Sequence, residues 1–234
     1  MAAGTREFEE QGMSLLLAVE SSTNEYRVVL GRDGEVIFDS AVNDCDPALR
    51  TLSALLECGL EAVGAPASEI KGVAINVGPG SLTFVRAGIS FVNALAFSLN
   101  VSIYPFNWFE IIAEQTRDAT KLPIIGGVPA SNDNAYVGLI RGASVEIMRF
   151  GRVHEALAQV SDGMREVAVA GRIRQRLATL LGEAGVVDTG VENPDARTLL
   201  KLGYGAWWDG GRETKQVEAL NDQSDVFFGT ELNG

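Results

Sequence analysis

The residues that most often carry chemistry are scarce in this chain. It has one histidine, His154, and two cysteines, Cys45 and Cys58, among 234 residues. No histidine–cysteine metal spacing can be written from so few, and two cysteines do not make a disulfide framework. Both cysteines are therefore expected to be reduced and structural, and neither a metal nor a cofactor is expected. His154, in GRVHEAL, has no Ser, Cys or Asp constellation beside it in sequence and reads as a surface histidine. Basic residues are also in short supply: 19 Lys and Arg against 31 Asp and Glu leave a net charge of −12. Phosphate binding needs clustered Lys and Arg, so the chain is not expected to hold nucleic acid by itself. Its one basic cluster, Arg172, Arg174 and Arg176, does not share a helical face and reads as solvated surface. No apolar run reaches the roughly 20 residues that span a bilayer. The opening MAAGTREFEEQG lacks the basic-then-apolar order of a signal peptide. A cytoplasmic location with no membrane partner is the expectation.

What is present is a globular composition, 46% hydrophobic and 21% charged, ample for a core. Two stretches read alike. Residues 15–40 and 123–150 each alternate strand, polar turn, strand, turn, strand, and so predict two three-stranded meanders. Each is followed by helices and further strands, the second set shorter. That pattern predicts an α/β fold of two ribonuclease-H-like lobes, the duplicated architecture of actin, hexokinase and Hsp70 (the ASKHA fold), with the second lobe abbreviated. The expected divisions are a disordered or tag-like stretch over 1–13, a first lobe over 14–105, a second over 106–210 and a polar tail over 211–234.

In such folds the first hairpin of each lobe holds phosphates, which directs attention to AVESST and VPASND. Glu20 could supply a metal-organising carboxylate, and a nucleotide reading would rest on Glu20, Ser22 and Thr23. The second hairpin has Pro129 at the corresponding place and Asp133 displaced into the turn. Good turn formers account for both stretches equally well. A third stretch, NVGPGSLTFVRAGISF, residues 76–91, reads as strand, tight turn, helix, and would present backbone N–H groups to an anion. It contains no Lys and matches neither GxxxxGK[ST] nor GxGxxG. The preferred reading is that Gly78 and Gly80 permit a cramped turn, with Ser81 or Thr83 capping the helix.

LLLAVESST, VAINVGPGSLTFVRAGISFVNALAFSLNVSIYPFNWFEIIA and VPASNDNAYVGLI together resemble the TsaB (YeaZ) family of tRNA threonylcarbamoyladenosine biosynthesis proteins. The family's stretches run close to ILxIDTST, GPGSFTGxRIG and DARRxEVY. Glu20 replaces an Asp of that pattern, Phe84 a Gly and Ala87 an Ile; a His-Ser-Glu before the first helix and an Arg pair in the second hairpin are absent. The related TsaD proteins carry metal-binding histidines on a helix, which this chain lacks there. The resemblance implies a non-catalytic subunit that supports a TsaD-type catalytic subunit, with or without a TsaE-type ATPase. It also implies contact with tRNA only through that complex.

The helix over 84–99 is apolar on nearly every face, and the preceding one, over 47–63, is rich in Leu. A helix with its back in water should show one apolar stripe only. Mutual burial of the two helices explains part of this; a partner explains the rest. The expected interface comprises Leu49, Leu52, Leu56 and Leu60 with Phe84, Ala87, Gly88, Phe91, Ala94 and Leu95. In the family the matching helices pair with a subunit, and alone the chain is expected to form a homodimer through them. The competing hypothesis is a small ASKHA-fold kinase or ATPase using Glu20 and the polar turns. Such an enzyme needs a carboxylate on each lobe and a cleft between two full lobes, and the shortened second half argues against it, as does the absence of a nucleophile–base pair.

Overall fold

A computed structural model describes residues 14–43, 45–46, 51–161, 163–182 and 184–220. The first half runs β1 (Leu15–Glu20), β2 (Arg27–Arg32), β3 (Glu35–Asp39), α1 (Leu52–Val63), β4 (Ile70–Asn76), α2 (Leu82–Leu99), β5 (Ser102–Phe106) and α3 (Trp108–Thr116). The second repeats that order as β6 (Ile124–Pro129), β7 (Asn134–Arg141), β8 (Ser144–Arg152), α4 (Val153–Val160), β9 (Val167–Ala170), α5 (Arg174–Leu181), β10 (Val186–Asp188) and α6 (Ala196–Asp209). The strands form two five-stranded sheets, ordered β3-β2-β1-β4-β5 and β10-β9-β6-β7-β8. In each, an antiparallel meander continues through its first strand into two parallel strands. The duplicated ribonuclease-H-like fold expected from the two meanders is what forms. The second half is shorter in its first two helices and last strand, not in its element count, and its third helix is the longer of the pair.

The central strand β1, LLLAVE, is buried along its whole length. Alternation splits its apolar run between two cores. Leu15, Leu17 and Val19 face a core with α1 and α2, while Leu16 and Ala18 face α6. That second contact revises the expected division by chain position. α6 lies within the expected second lobe, yet Leu199, Leu200 and Tyr204 pack on the first sheet. Conversely α3, which follows the first sheet, packs Trp108, Phe109 and Ile112 against Ile124, Ile140 and Met148 of the second. Each half therefore lends its last helix to the other.

Two further expectations are corrected. The cysteines are not reduced: Cys45 and Cys58 form a disulfide. The connection after β3 folds back over α1, bringing their Cα atoms to 6.3 Å, within reach of a bridge. The stretch after α6 is not a loose tail as far as Leu220. Thr214 pairs with Ile103 through both backbone bonds, and Val217 exchanges hydrogen bonds with the Asn93 side chain. Residues 1–13 and 221–234 lie outside the described residues, as does Leu49. By length and composition alone α2 is apolar enough to cross a membrane. It owes this to having one face on the core and a second apolar face outside.

α6 can approach the sheet because Gly203 has no side chain: a Cβ there would stand 2.7 Å from that of Ala74. Gly205, two residues on, faces open space. Gly203→Leu should thus cost about 1–3 kcal/mol by overpacking. Gly205→Ala should instead stabilise by about 0.5–1 kcal/mol through helix propensity. Urea unfolding of the two variants checks this; equal effects would mean that α6 does not sit closely on the first sheet.

Candidate functional site

The turn after β1 and the loop before α2 meet over a buried carboxylate. Glu20 accepts the Ser22 backbone N–H at 2.6 Å and the Asn76 side-chain amide at 2.7 Å. The Asn76 carbonyl oxygen in turn accepts the Gly78 N–H at 2.9 Å. The Ser81 N–H donates to the Ser22 carbonyl at 2.8 Å. Burial pushes the Glu20 carboxyl above the ordinary glutamate range; the bonds from Ser22 and Asn76 pull it back, and the charge of Asp195 adds to the rise. Each carboxylate oxygen thus accepts one internal bond, while Glu20 also lines a shallow pocket with Thr23, Arg172 and Glu192.

The glycines of GPGSLTF belong to the same junction. A Cβ on Gly80 would lie 2.3 Å from the Ser22 carbonyl oxygen, and one on Gly88 would lie 2.2 Å from the Ser21 hydroxyl. Gly78 adopts φ +104°, open to few other residues. Close packing of α2 on the first turn is thus what the glycines permit. Neither Ser81 nor Thr83 caps α2: Ser81 occupies the cap position but makes no side-chain cap bond.

Beside this junction lies a cavity of about 660 Å³, lined among others by Ser22, Arg86, Trp108, Tyr136, Phe150 and Arg172. Tyr136 and Phe150 stack at 4.7 Å, and Leu220 lines the cavity from the C-terminal segment. Thr23 is half-buried and bonds the Glu25 carbonyl. On the second lobe Asp133 is exposed and paired with Arg176 at 2.5 Å. The Arg176 hydrogen bond holds the Asp133 carboxyl below its usual range. Glu20 and Asp133 are thus each held by a partner from their own half of the chain. Among the described residues no three His, Cys, Asp or Glu side chains come together at metal-binding distance. Arg174 is likewise paired, with Asp188 and Glu192, so the basic cluster is divided among separate partners.

The second surface is the outer face of α1 and α2. Thr83, Ala87, Ser90, Ala94 and Phe97 are exposed along α2, a run of one turn per step. Phe97 is 89% exposed. Phe84 is half-buried against Tyr26, with ring centroids 4.9 Å apart. Leu60, Phe91 and Leu95 are half-buried between the helices and the core. Leu52, Leu56 and Gly88 turn inward. The residues proposed from sequence therefore divide between core and surface. Phe97 was not separable in sequence from the all-round apolarity of its helix.

Substituting Glu20 should expose this junction's electrostatics. Glu20→Gln leaves one acceptor where two donors converge, so a destabilisation of about 1–3 kcal/mol is expected. Because the folded-state value is raised, the wild-type carboxyl stabilises fully below the ordinary glutamate value. That contribution declines as pH rises through the raised one. The gap between wild type and variant should therefore narrow from acidic to neutral pH in urea titrations. A gap constant with pH would mean that the carboxyl titrates as it does in the unfolded chain.

Residues 49–177 match the family TsaD, tRNA N6-adenosine threonylcarbamoyltransferase. The tRNA N6-adenosine threonylcarbamoyltransferase of Geotalea uraniireducens is 27% identical over 186 residues, 72% of this chain and 50% of its own length. The Geotalea daltonii protein of the same name is 27% identical over 187 residues, again covering 50% of its length. The chain thus spans about half the length of the curated relatives it matches. Among solved structures, YeaZ from Pseudomonas aeruginosa superposes with TM-score 0.70 at 22% identity, covering 89% of this chain and 100% of that one. A protein described as similar to peptidase YEAZ, from the same organism, gives TM-score 0.71 at 21% identity over 90% of this chain and 100% of its own. The likeness in fold is therefore to a whole YeaZ protein, the likeness in sequence to half of a transferase. The chain belongs to the TsaD family, that of tRNA N6-adenosine threonylcarbamoyltransferase, and has the fold of the YeaZ (TsaB) proteins.

Proposed function

We propose that this protein is a partner subunit in the formation of N6-threonylcarbamoyladenosine at position 37 of tRNAs that read codons starting with A. In this reading it works by docking a TsaD-type catalytic subunit, not by chemistry of its own. The observation that carries it is the outer face of α2, where Ala87, Ser90 and Ala94 form a stripe of small exposed side chains beside Phe97. Small residues let a partner's backbone approach, and an exposed aromatic provides an anchor for a hot spot. The cleft supports the same reading from the other side, because Glu20 is held in internal bonds and Asp133 in an ion pair. With a net charge of −12, tRNA is met through the complex, a TsaE-type ATPase joining there as a further subunit. Without its partner the same face pairs with a second copy, a self-complementary arrangement that two helices can form about a two-fold axis.

A kinase or ATPase remains the second reading, favoured by the cavity of about 660 Å³ with Arg86, Arg172 and a stacked aromatic pair in its lining. Calorimetric titration with ATP and magnesium separates the two: micromolar binding by the isolated chain would support the enzyme.

Ala87→Arg and Ala94→Arg should weaken self-association and capture of a TsaD-type subunit at least about tenfold, the equivalent of 1.4 kcal/mol. Circular dichroism should be unchanged, because both positions are exposed. The isolated chain should transfer no threonylcarbamoyl group to tRNA and should restore transfer when the catalytic subunit is added. Unchanged association in both variants, or turnover by the chain alone, would overturn the reading.

A further inference from the structure

The docking helices are fastened to the rest of the lobe by the Cys45–Cys58 disulfide, which joins the connection after β3 to α1. These are the only two cysteines of the sequence, and both are half-buried, packed against the first-lobe core. Cys45 lies in the wall of a groove of about 460 Å³ shared with Tyr26, Leu55, Thr83 and Phe84. The groove runs into the α1–α2 face, since Phe84 belongs to α2 and Leu55 to α1. Upstream of Cys45 the connection is held by its own hydrogen bonds. Ala41 N–H donates to the Asp39 carboxylate at 2.8 Å, and Asp39 N–H to the Asn43 side chain at 2.7 Å. Further along, the Cys45 N–H donates to the Asn43 carbonyl. The covalent link ties Cys45 directly to the second turn of α1.

We propose that this disulfide is a redox clamp on the docking face: closed, it holds the groove wall against α1 and favours docking; opened by a dithiol, it releases the wall and weakens docking. The proposal rests on the docking reading above. In the opening step a thiolate of the dithiol attacks one cysteine sulfur, giving a mixed disulfide and freeing the other cysteine. The second thiol of the reductant then displaces the first cysteine. Two electrons pass to the chain, its two sulfurs each gain a proton, and the reductant leaves as its own disulfide. A disulfide such as oxidised glutathione reverses the exchange.

The test uses the full chain, alkylated with iodoacetamide on lysis and again after dithiothreitol. The untreated chain should carry no adducts and the reduced chain two. Reduction should speed hydrogen exchange over residues 40–63 and weaken self-association, read by sedimentation, at least about tenfold. The Cys45→Ser/Cys58→Ser double variant should behave as the reduced chain does, with or without dithiothreitol. Two adducts on the untreated chain would overturn the proposal, as would exchange and association that do not respond to reduction. Ala94→Arg in the oxidised protein distinguishes the two readings. If it leaves association unchanged the docking reading falls, whereas a reduction-dependent exchange rate over 40–63 would still uphold a clamp on α1.

Discussion

The junction around Glu20 is the constraint on which the first lobe depends. A carboxylate at the end of a central strand, removed from water, is costly unless donors surround it. Here a backbone N–H and the Asn76 amide do so. Satisfying it requires the turn after β1 to lie against the loop before α2. That closeness is possible only because Gly80 and Gly88 carry no side chain. The position of α2, and with it the slope of the outer face, follows. The same bonds give this acidic residue a structural part at the junction. A single buried residue thus fixes how α2 sits on the first sheet.

The exchange of terminal helices between lobes carries this further. α6 is the last helix among the described residues, yet it covers one side of the first sheet while α1 and α2 cover the other. The Tyr204 hydroxyl donates to the Ser14 carbonyl at 3.0 Å, joining positions 190 residues apart. The first lobe is therefore complete only when the end of the chain has folded back. Contacts of such long range must form late and together. The strap that follows α6 extends this dependence, with Leu220 bonded to Val77 and packed against the second core.

How much of this was legible in the sequence depended on range. The two meanders and the strand–turn–helix around GPGS were readable because alternation and turn residues are local signals. The fate of α6 was not, since an amphipathic helix shows that it has a buried face and not which sheet receives it. The cysteine pair was misread for the same reason: thirteen residues of separation say nothing of a 6.3 Å approach. Gly88 was misassigned to the surface because a small residue serves equally to admit a partner and to seat the helix on its own lobe. Only the Ser21 side chain beneath it decides between them. Glu20 was recognised as a residue of consequence, but its partner Asn76, fifty-six positions on, could not be found by spacing.

One ion pair links these levels. Arg197, in the first turn of α6, bonds Asp39 at 2.5 Å, and Asp39 also accepts the Ala41 N–H that begins the connection toward Cys45. Asp39 is nearly buried while Arg197 is half-exposed, so the carboxylate is held in place and the arginine reaches in from the surface. The wall of the groove beside α1 and α2 is thereby anchored at one end by α6 and at the other by the disulfide. A loosening of α6 would reach that wall through Asp39 without any change in α1 or α2 themselves. The connection beside α1 is thus tied to the folding of α6.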